Sequence, residues 1–541
     1  SRATSIYQQA LSQRSWTPSV VTLTTLLKGH CSAGDLPSAE ALLEQMEQRF
    51  GLKPNERTLN TFLRGCLWTG DVLRARLMFE KLTSGGRYKR GSMNADAASV
   101  DYMLRLLATA LRVEEAEDLS TKHRALLKGV PAPFVALATA YALLRKWTKS
   151  VEMLDISNEM LKADDVELYA DRRSYADDDD NSNLTGFLQH QRSELAASCA
   201  EIRKYADTFR ETGLKHVGTE LHEGRPSKRR KVQLDSVVHP VSLQDGLSRV
   251  FLFASTGRLG CTDEQKFKRA PLLRGMVSRL ESLGLPEAVP SASSRDHPAS
   301  KTSVDRAKVL RRMRRCFTMK GRLKLSNAFQ DKSLPLHLEI CAGSGEWIVE
   351  QCRQCPHVNW CALELRHLRC ASIFSRGMLA GVTNLCVMGG DAAIVCADSL
   401  CSANIDCVFV NFPEPPRMHD HQRNDGDHLL DAPFFRSLHA LLKPNGNLLI
   451  VTDNLPYARV CALTLYGLKS DLDGSKLYEE AAGAEEVQHR KVAGVCLGLP
   501  AGFAIAGKEG GSYFDRLWAR RSKRKRFFIM ASKRCPEATG Q

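Results

Sequence analysis

In the N-terminal third of the chain, apolar residues recur at helical spacing inside a longer repeat. Pro18 and Pro54, Thr22 and Thr58, Gly34 and Gly70, Asp35 and Asp71, and Ala39 and Ala75 are each 36 positions apart. A period of that size corresponds to one helical hairpin. It predicts helices over 21–31 and 37–48 in a first unit and over 57–67 and 73–82 in a second, with a Gly-Asp turn inside each. Weaker units follow over 97–122 and 133–161. No helix of such a unit buries its apolar stripe alone, so neighbouring units must supply the other wall, which predicts an all-α solenoid.

The pattern then changes twice. Residues 164–183 turn acidic around Asp177, Asp178, Asp179 and Asp180, a composition that builds no core. Helical periodicity returns over 187–212 as a cap for the array, and 286–303, rich in Pro, Ser and Ala, reads as a flexible linker. From 336 onward, short apolar runs at 336–341, 360–365, 385–388 and 405–410 follow one another, the first passing through a glycine turn into a helix over 346–354. Such alternation predicts an α/β domain with a parallel sheet. The expected division is a repeat array over 1–162, a partly disordered connector over 163–303, a basic lead-in over 304–335 and the α/β domain over 336–535.

Composition adds the class of partner. A chain of 541 residues exceeds one core. It is 43% hydrophobic and 25% charged, and contains no run near the ~20 apolar residues a membrane helix needs, so no membrane partner is expected. The net charge of +15 and the pI of about 9.1 favour polyanions such as RNA. Two clusters concentrate that charge. The run RPSKRRKV over 225–232 resembles a nuclear localisation signal. Arg306, Lys308, Arg311, Arg312, Arg314, Arg315, Lys320, Arg322 and Lys324 form either a solvated helix or a phosphate-neutralising strip at the mouth of the α/β site. The 17 cysteines are scattered through apolar runs, and Cys352 and Cys355 have no second pair at zinc-finger spacing, so no metal is expected.

The α/β domain holds the candidate chemistry. Gly343 and Gly345 stand between a strand and a helix N-terminus, where backbone approaches a ligand. Glu364, at the end of the next strand, can accept both hydroxyls of an adenosine ribose. These features alone suit a nicotinamide cofactor or S-adenosylmethionine. Three more favour the second: Asp391 and Ala392 can read an adenine edge, Asn411 opens an Asn-x-Pro turn that can hold a planar base, and Glu339 suits a cationic methionine ammonium.

The ordered blocks LEICAGSG, LELR, GGDAAIV, NFPEPP, HLLDAPFF and LLKPNGNLLIVTDNLPYA resemble the tRNA (guanine-N7)-methyltransferases over 336–535. The resemblance implies a Rossmann-like class I methyltransferase fold, S-adenosylmethionine as cofactor and tRNA as partner. It further implies donor contacts at Glu339, Gly343, Gly345, Glu364, Asp391, Ala392 and Asn411, and places Glu414 and Asp453 against the guanine as catalytic groups. Arg417, His421, Arg423, Ser512 and Asp515 are its implied substrate contacts. Departures fall on the RNA side: Glu414 and Pro416 replace Asp and Trp, Asp420 and Asn424 stand for arginines, Ser512 and Asp515 are one carbon shorter than the family's Thr and Glu, and Cys341 takes a glycine position. The stretch VVTLTTLLKGHCSAGDLPSAEALLEQMEQRFGLKPN is similar to the pentatricopeptide repeat. That family implies single-stranded RNA read by Thr24 with Asn55 and by Asn60 with Asp96, and residence in a mitochondrion or plastid, against the nucleus suggested by 225–232.

Overall fold

The structure, a computed structural model, describes residues 2–13, 16–83, 94–162, 189, 192–193, 195–207, 241–252, 279–285, 304–415, 428–481, 494–500, 503 and 525–534. They fall into two compact units, one built chiefly from the first 239 residues and the other chiefly from 305 onward.

The first unit is the expected solenoid. Its helices are α1 (Arg2–Leu11), α2 (Val20–Ser32), α3 (Leu36–Gln48), α4 (Glu56–Thr69), α5 (Val72–Thr83), α6 (Ala97–Thr109), α7 (Val113–Lys122), α8 (Ala132–Leu143) and α9 (Trp147–Lys162). Each predicted helix is present, extended by a residue or two where caps decide the ends. Asn55 and Asp96 cap α4 and α6 through capping boxes with Thr58 and Ser99, and Gly70 ends α4 at φ 67°. Inner helices α2, α4, α6 and α8 stack in a row, with Leu23, Leu27, Leu59, Phe62, Leu63 and Met103 nearly or wholly buried between them. The predicted cap is a helix over 195–207, where Arg203 pairs with Asp155 and Cys199 approaches Ser157 Oγ at 3.7 Å.

Two further pieces of the expected connector are structured. In the segment 279–285, Gly284 donates to the Ala110 carbonyl at 2.9 Å and Arg279 to that of Thr69 at 2.9 Å. Both acceptors lie at helix C-termini, where carbonyls lack intrahelical donors. Further upstream, α10 (Leu243–Leu247) and β1 (Val250–Leu252) belong to the second unit, β1 pairing with Val387, Met388 and Gly389. A three-residue strand has no periodicity to read, so only its tertiary partner reveals it. The acidic run, the 225–232 cluster and the 286–303 linker lie outside the described residues.

The second unit is an α/β sheet. After α11 (Arg306–Arg315) come β2 (Leu336–Ile340), α12 (Glu346–Gln354), β3 (Asn359–Glu364), α13 (His367–Leu379), β4 (Leu385–Gly389), β5 (Ile405–Asn411), α14 (Ala432–Leu441), β6 (Leu442–Thr452), α15 (Leu455–Gly467), β7 (Tyr478–Glu480), β8 (Cys496–Leu497) and β9 (Phe527–Lys533). The order is β1-β4-β3-β2-β5-β6-β9-β7, parallel through β6, with β9 antiparallel and β8 also on β9. Strand order reverses at β2, so ligands are expected where the carboxyl ends of β2 and β5 part. The interior strands are continuous apolar runs because helices cover both faces. Among the described residues no helix is long and apolar enough to cross a membrane.

The Cys352 and Cys355 pair closes α12: Asn384 Nδ2 donates to both their carbonyls, at 3.1 and 3.2 Å, and to that of Val358. The basic strip is a solvated helix, α11, that buries only Val309 and Met313. It does not sit at the mouth of the site. The following turn is fastened by Leu323, whose amide donates to Ser399 and whose carbonyl accepts from Cys401, residues that precede β5. That places its anchor at the amino ends of the strands.

Candidate functional site

The loop leaving β2 is held in conformations that favour glycine. Cys341, Gly343 and Gly345 have φ values of 62°, 60° and 86°. Cys341 thus stands strained in the left-handed region, at the position where the family resemblance expects glycine. Burial pushes its thiol up to about 12, so it is no nucleophile at neutral pH. A Cβ on Gly343 would meet nothing within 4 Å, leaving that face open to a ligand, whereas one on Gly345 would sit 2.8 Å from Ile373 Cγ1. We therefore expect Gly345→Ala to destabilise the α/β unit by about 2 kcal/mol, from the clash and the positive φ together. A melting transition unchanged by this substitution would refute that reading of the loop.

Glu364 ties this loop to β3. It is almost fully buried; its Oε2 accepts from Gly343 N at 2.9 Å, and its Oε1 from Leu365 N at 3.0 Å and Arg366 N at 3.2 Å. Arg369 lies 3.8 Å from Oε1. The carboxylate is thereby oriented before any ligand arrives, with lone pairs left for hydroxyl donors.

Behind the loop, Asn411 Nδ2 donates to Glu339 Oε1 at 2.7 Å. Both side chains are buried, and both remaining oxygens, Glu339 Oε2 and Asn411 Oδ1, have no partner among the described residues. Orphaned buried acceptors are costly, and a cationic amine is the group that would satisfy them. Burial, relieved by Asn411 and reinforced by Glu346 and Glu364, pushes the Glu339 carboxyl up to about 8. The ligand-free fold therefore holds a proton that the unfolded chain releases near 4.5, so its stability falls as pH rises between those values, by up to about 1.4 kcal/mol per unit. Above about 8 the loss stops growing. In Glu339→Gln we expect the melting temperature to vary less between pH 5 and 8 and to exceed that of the parent at about pH 8.5; parallel profiles would contradict this.

The other expected residues lie on the same edge. Asp391 caps the one-turn helix Ala392–Ile394, its Oδ1 accepting from Ala393 N at 2.9 Å. Asn411 pairs with Val451 across β5 and β6, and Phe412 N donates to Val451 O at 2.8 Å. Exposed Glu414 and half-buried Asp453 thus leave adjacent strand ends. Two groups drew no functional assignment from the sequence. His428 Nδ1 is buried without a described partner, its ring 6.0 Å from that of Tyr457, which lies in the first turn of α15 with its hydroxyl interacting with Cys461. Nothing local distinguishes them from core aromatics. Arg417, His421, Arg423, Ser512 and Asp515 lie outside the described residues.

In the array, the pairs named by resemblance do meet. Asn60 Nδ2 donates to Asp96 Oδ2 at 2.7 Å. Thr24 and Asn55 are joined through Thr58, whose Oγ1 lies 3.0 Å from Thr24 Oγ1 and donates to Asn55 Oδ1 at 2.9 Å. Asp101 follows its cap by the same five positions as Thr24 and Asn60, and pairs with Arg105 at 3.2 Å. The irregular spacing before α6 hid that third member.

Fold and site define a class: a Rossmann-like methyltransferase domain of class I type, carried on a chain that also contains a pentatricopeptide-type solenoid. Residues 333–479 match the family described as putative methyltransferase, and 18–67 match the PPR repeat family. The chain belongs to the tRNA (guanine-N7)-methyltransferase family. A member from Lacticaseibacillus casei is 30% identical over 161 residues, 29% of this chain and 72% of the relative. One from Chlamydia felis is 33% identical over 123 residues, 23% of this chain and 54% of the relative. The chain thus spans about half the length of the chlamydial relative. A solved 16S rRNA (adenine(1408)-N(1))-methyltransferase from Catenulisporales acidiphilia is 16% identical, covering 38% of this chain and 88% of its own, with a TM-score of 0.25. A pentatricopeptide repeat protein in complex with an 18-nt RNA element is also 16% identical, covering 29% and 22%, with a TM-score of 0.25. At those scores neither likeness carries an argument.

Proposed function

We propose that the chain methylates guanine N7 in tRNA with S-adenosylmethionine, and that the repeat array helps to hold the RNA. The observation that carries this reading is the meeting, on one sheet edge, of the orphaned Glu339 and Asn411 acceptors, the Glu364-braced glycine loop and the two carboxylates Glu414 and Asp453. S-adenosylmethionine supplies an activated methyl group. Glu339 and Asn411 hold its ammonium, Glu364 its ribose hydroxyls, and Asp391 with the Ala392 amide its adenine. Guanine N7 carries a free lone pair at neutral pH, so no general base is required and catalysis is positioning and electrostatics. Glu414 and Asp453 accept from guanine N1 and N2 and stabilise the cationic product ring.

Borohydride and aniline treatment of tRNA incubated with the chain and donor should produce new cleavage at a guanine; no cleavage would refute the activity. A second reading, methylation of a different RNA, is favoured by Glu414, Pro416 and the strained Cys341 where the family has Asp, Trp and Gly. Nucleoside mass spectrometry of total RNA separates the two. For location, the repeats support a mitochondrion or plastid, and tagging the full-length chain decides between that and the nucleus.

A further inference from the structure

The edge of the α/β unit opposite the proposed reaction site carries its own concentration of charge. Lys308, Arg311, Arg314 and Arg315 are exposed along α11, and Lys320 and Lys324 are exposed on the turn that follows. None of these six makes an ion pair with a described residue, whereas Arg312 of the same strip pairs with Asp245. The turn is rigid: Thr318 N donates to Arg322 O at 2.8 Å, Gly321 N to Thr318 O at 2.9 Å, and Phe317 bridges Leu323. At its tip Met319 is 91% exposed. The platform is fixed to the sheet, since Leu323 bonds Ser399 and Cys401, and Ser326 Oγ lies 3.4 Å from Asn404 Oδ1.

We infer that this surface is a second RNA-binding site, which grips the backbone of the same RNA away from the target guanine. The inference rests on the reading that the substrate is RNA. Along α11 the cations recur with the helix pitch of ~5.4 Å, so one stripe of guanidinium and ammonium groups faces a line of phosphates, which guanidinium planes bind bidentately. An anionic membrane is disfavoured: an interfacial helix needs its apolar face free, and here Val309 and Met313 are already buried. Met319, an apolar tip between cations, suits stacking on an unpaired base or wedging beside a helix end. The two edges are separated by the length of β2, five residues or ~17 Å, a span that a folded RNA of tRNA size bridges.

The test uses the full chain with Arg311→Ala, Arg314→Ala and Arg315→Ala combined, alanine preserving the helix. Binding of a tRNA transcript is measured between about 50 and 200 mM salt, beside S-adenosylmethionine titration as a fold control. We expect Kd for RNA to rise about tenfold or more and the salt slope to fall by about 2, at ~0.7–0.9 for each phosphate no longer neutralised, while donor affinity stays unchanged. Met319→Ala should weaken a single-stranded probe more than a blunt duplex. An unchanged Kd and slope overturn the inference, as does loss of binding to phosphatidylserine vesicles with RNA binding intact. Because binding is read without methylation, a chain that binds RNA through this edge but forms no 7-methylguanosine refutes the proposed activity and leaves this surface standing.

Discussion

Replacing Glu364 by alanine is expected to abolish measurable S-adenosylmethionine binding and to lower the melting transition of the α/β unit. Its carboxylate accepts three backbone amides, from Gly343, Leu365 and Arg366, in an almost fully buried place. Truncation leaves those donors facing a cavity, at about 1–3 kcal/mol for each that water cannot reach. The glycine loop also loses the side-chain tether that runs from Gly343 to β3, so the surface presented to the donor is no longer organised beforehand. A drop in donor affinity of about a hundredfold or more follows from losing one charged hydrogen-bond acceptor and that organisation together. Glu364→Gln retains one carbonyl acceptor and should fall between the two. Calorimetric titration paired with thermal melts checks both; near-normal affinity in the alanine variant would remove Glu364 from the donor site.

Asp453→Asn should behave in the opposite way, lowering turnover by about 10²–10³ while donor affinity stays near that of the parent. Asp453 follows the buried end of β6 and takes no part in the Glu364 bonds that hold the glycine loop together. On the proposed reaction the guanine ring becomes cationic as N7 takes the methyl group, and a carboxylate fixed beside it stabilises that charge more than it stabilises the neutral ground state. Asparagine preserves the shape but withdraws the charge. Single-turnover methylation with saturating donor and RNA reads the effect on chemistry. A reduced kcat accompanied by an equal loss of donor affinity would place Asp453 with the cofactor instead. On the proposed reaction, the contrast between Glu364 and Asp453 would separate the two halves of the site: one acid organises the protein, the other would meet charge that exists only during reaction.

The residues proposed for the donor side could be picked out because each carries a local signal. Gly343 and Gly345 stand at a strand-to-helix turn, Glu364 ends an apolar run, and Asn411 precedes Phe412 and Pro413, all within short windows. Tyr457 and His428 carry no such signal of their own, since a tyrosine at helical spacing after a cap and a histidine before a helix look like core and surface until their rings are seen to meet. In the array, the pentatricopeptide resemblance pointed to Thr24 and Asn60, but the longer spacing before α6 concealed Asp101, which only its place after the Asp96 cap discloses. The basic strip shows the same limit from another side. Its charge was evident, whereas its edge of the sheet was not, because Leu323 chooses that edge through backbone bonds to residues far along the chain, Ser399 and Cys401.

What the chain determined by itself is therefore what repeats or clusters within a few turns: the helical hairpins, the parallel strands, the glycine loop and its acids. Periodicity and turn chemistry are local, so they survive in one dimension. Tertiary structure alone decided that Val250–Leu252 joins the sheet, that Glu339 meets Asn411 with oxygens to spare, that the Glu364 carboxylate braces the loop while keeping lone pairs for a ligand, and that α11 lies at the opposite edge from the reaction site. Each of these depends on strand order and on burial, and both arise only when segments distant in sequence exclude water together.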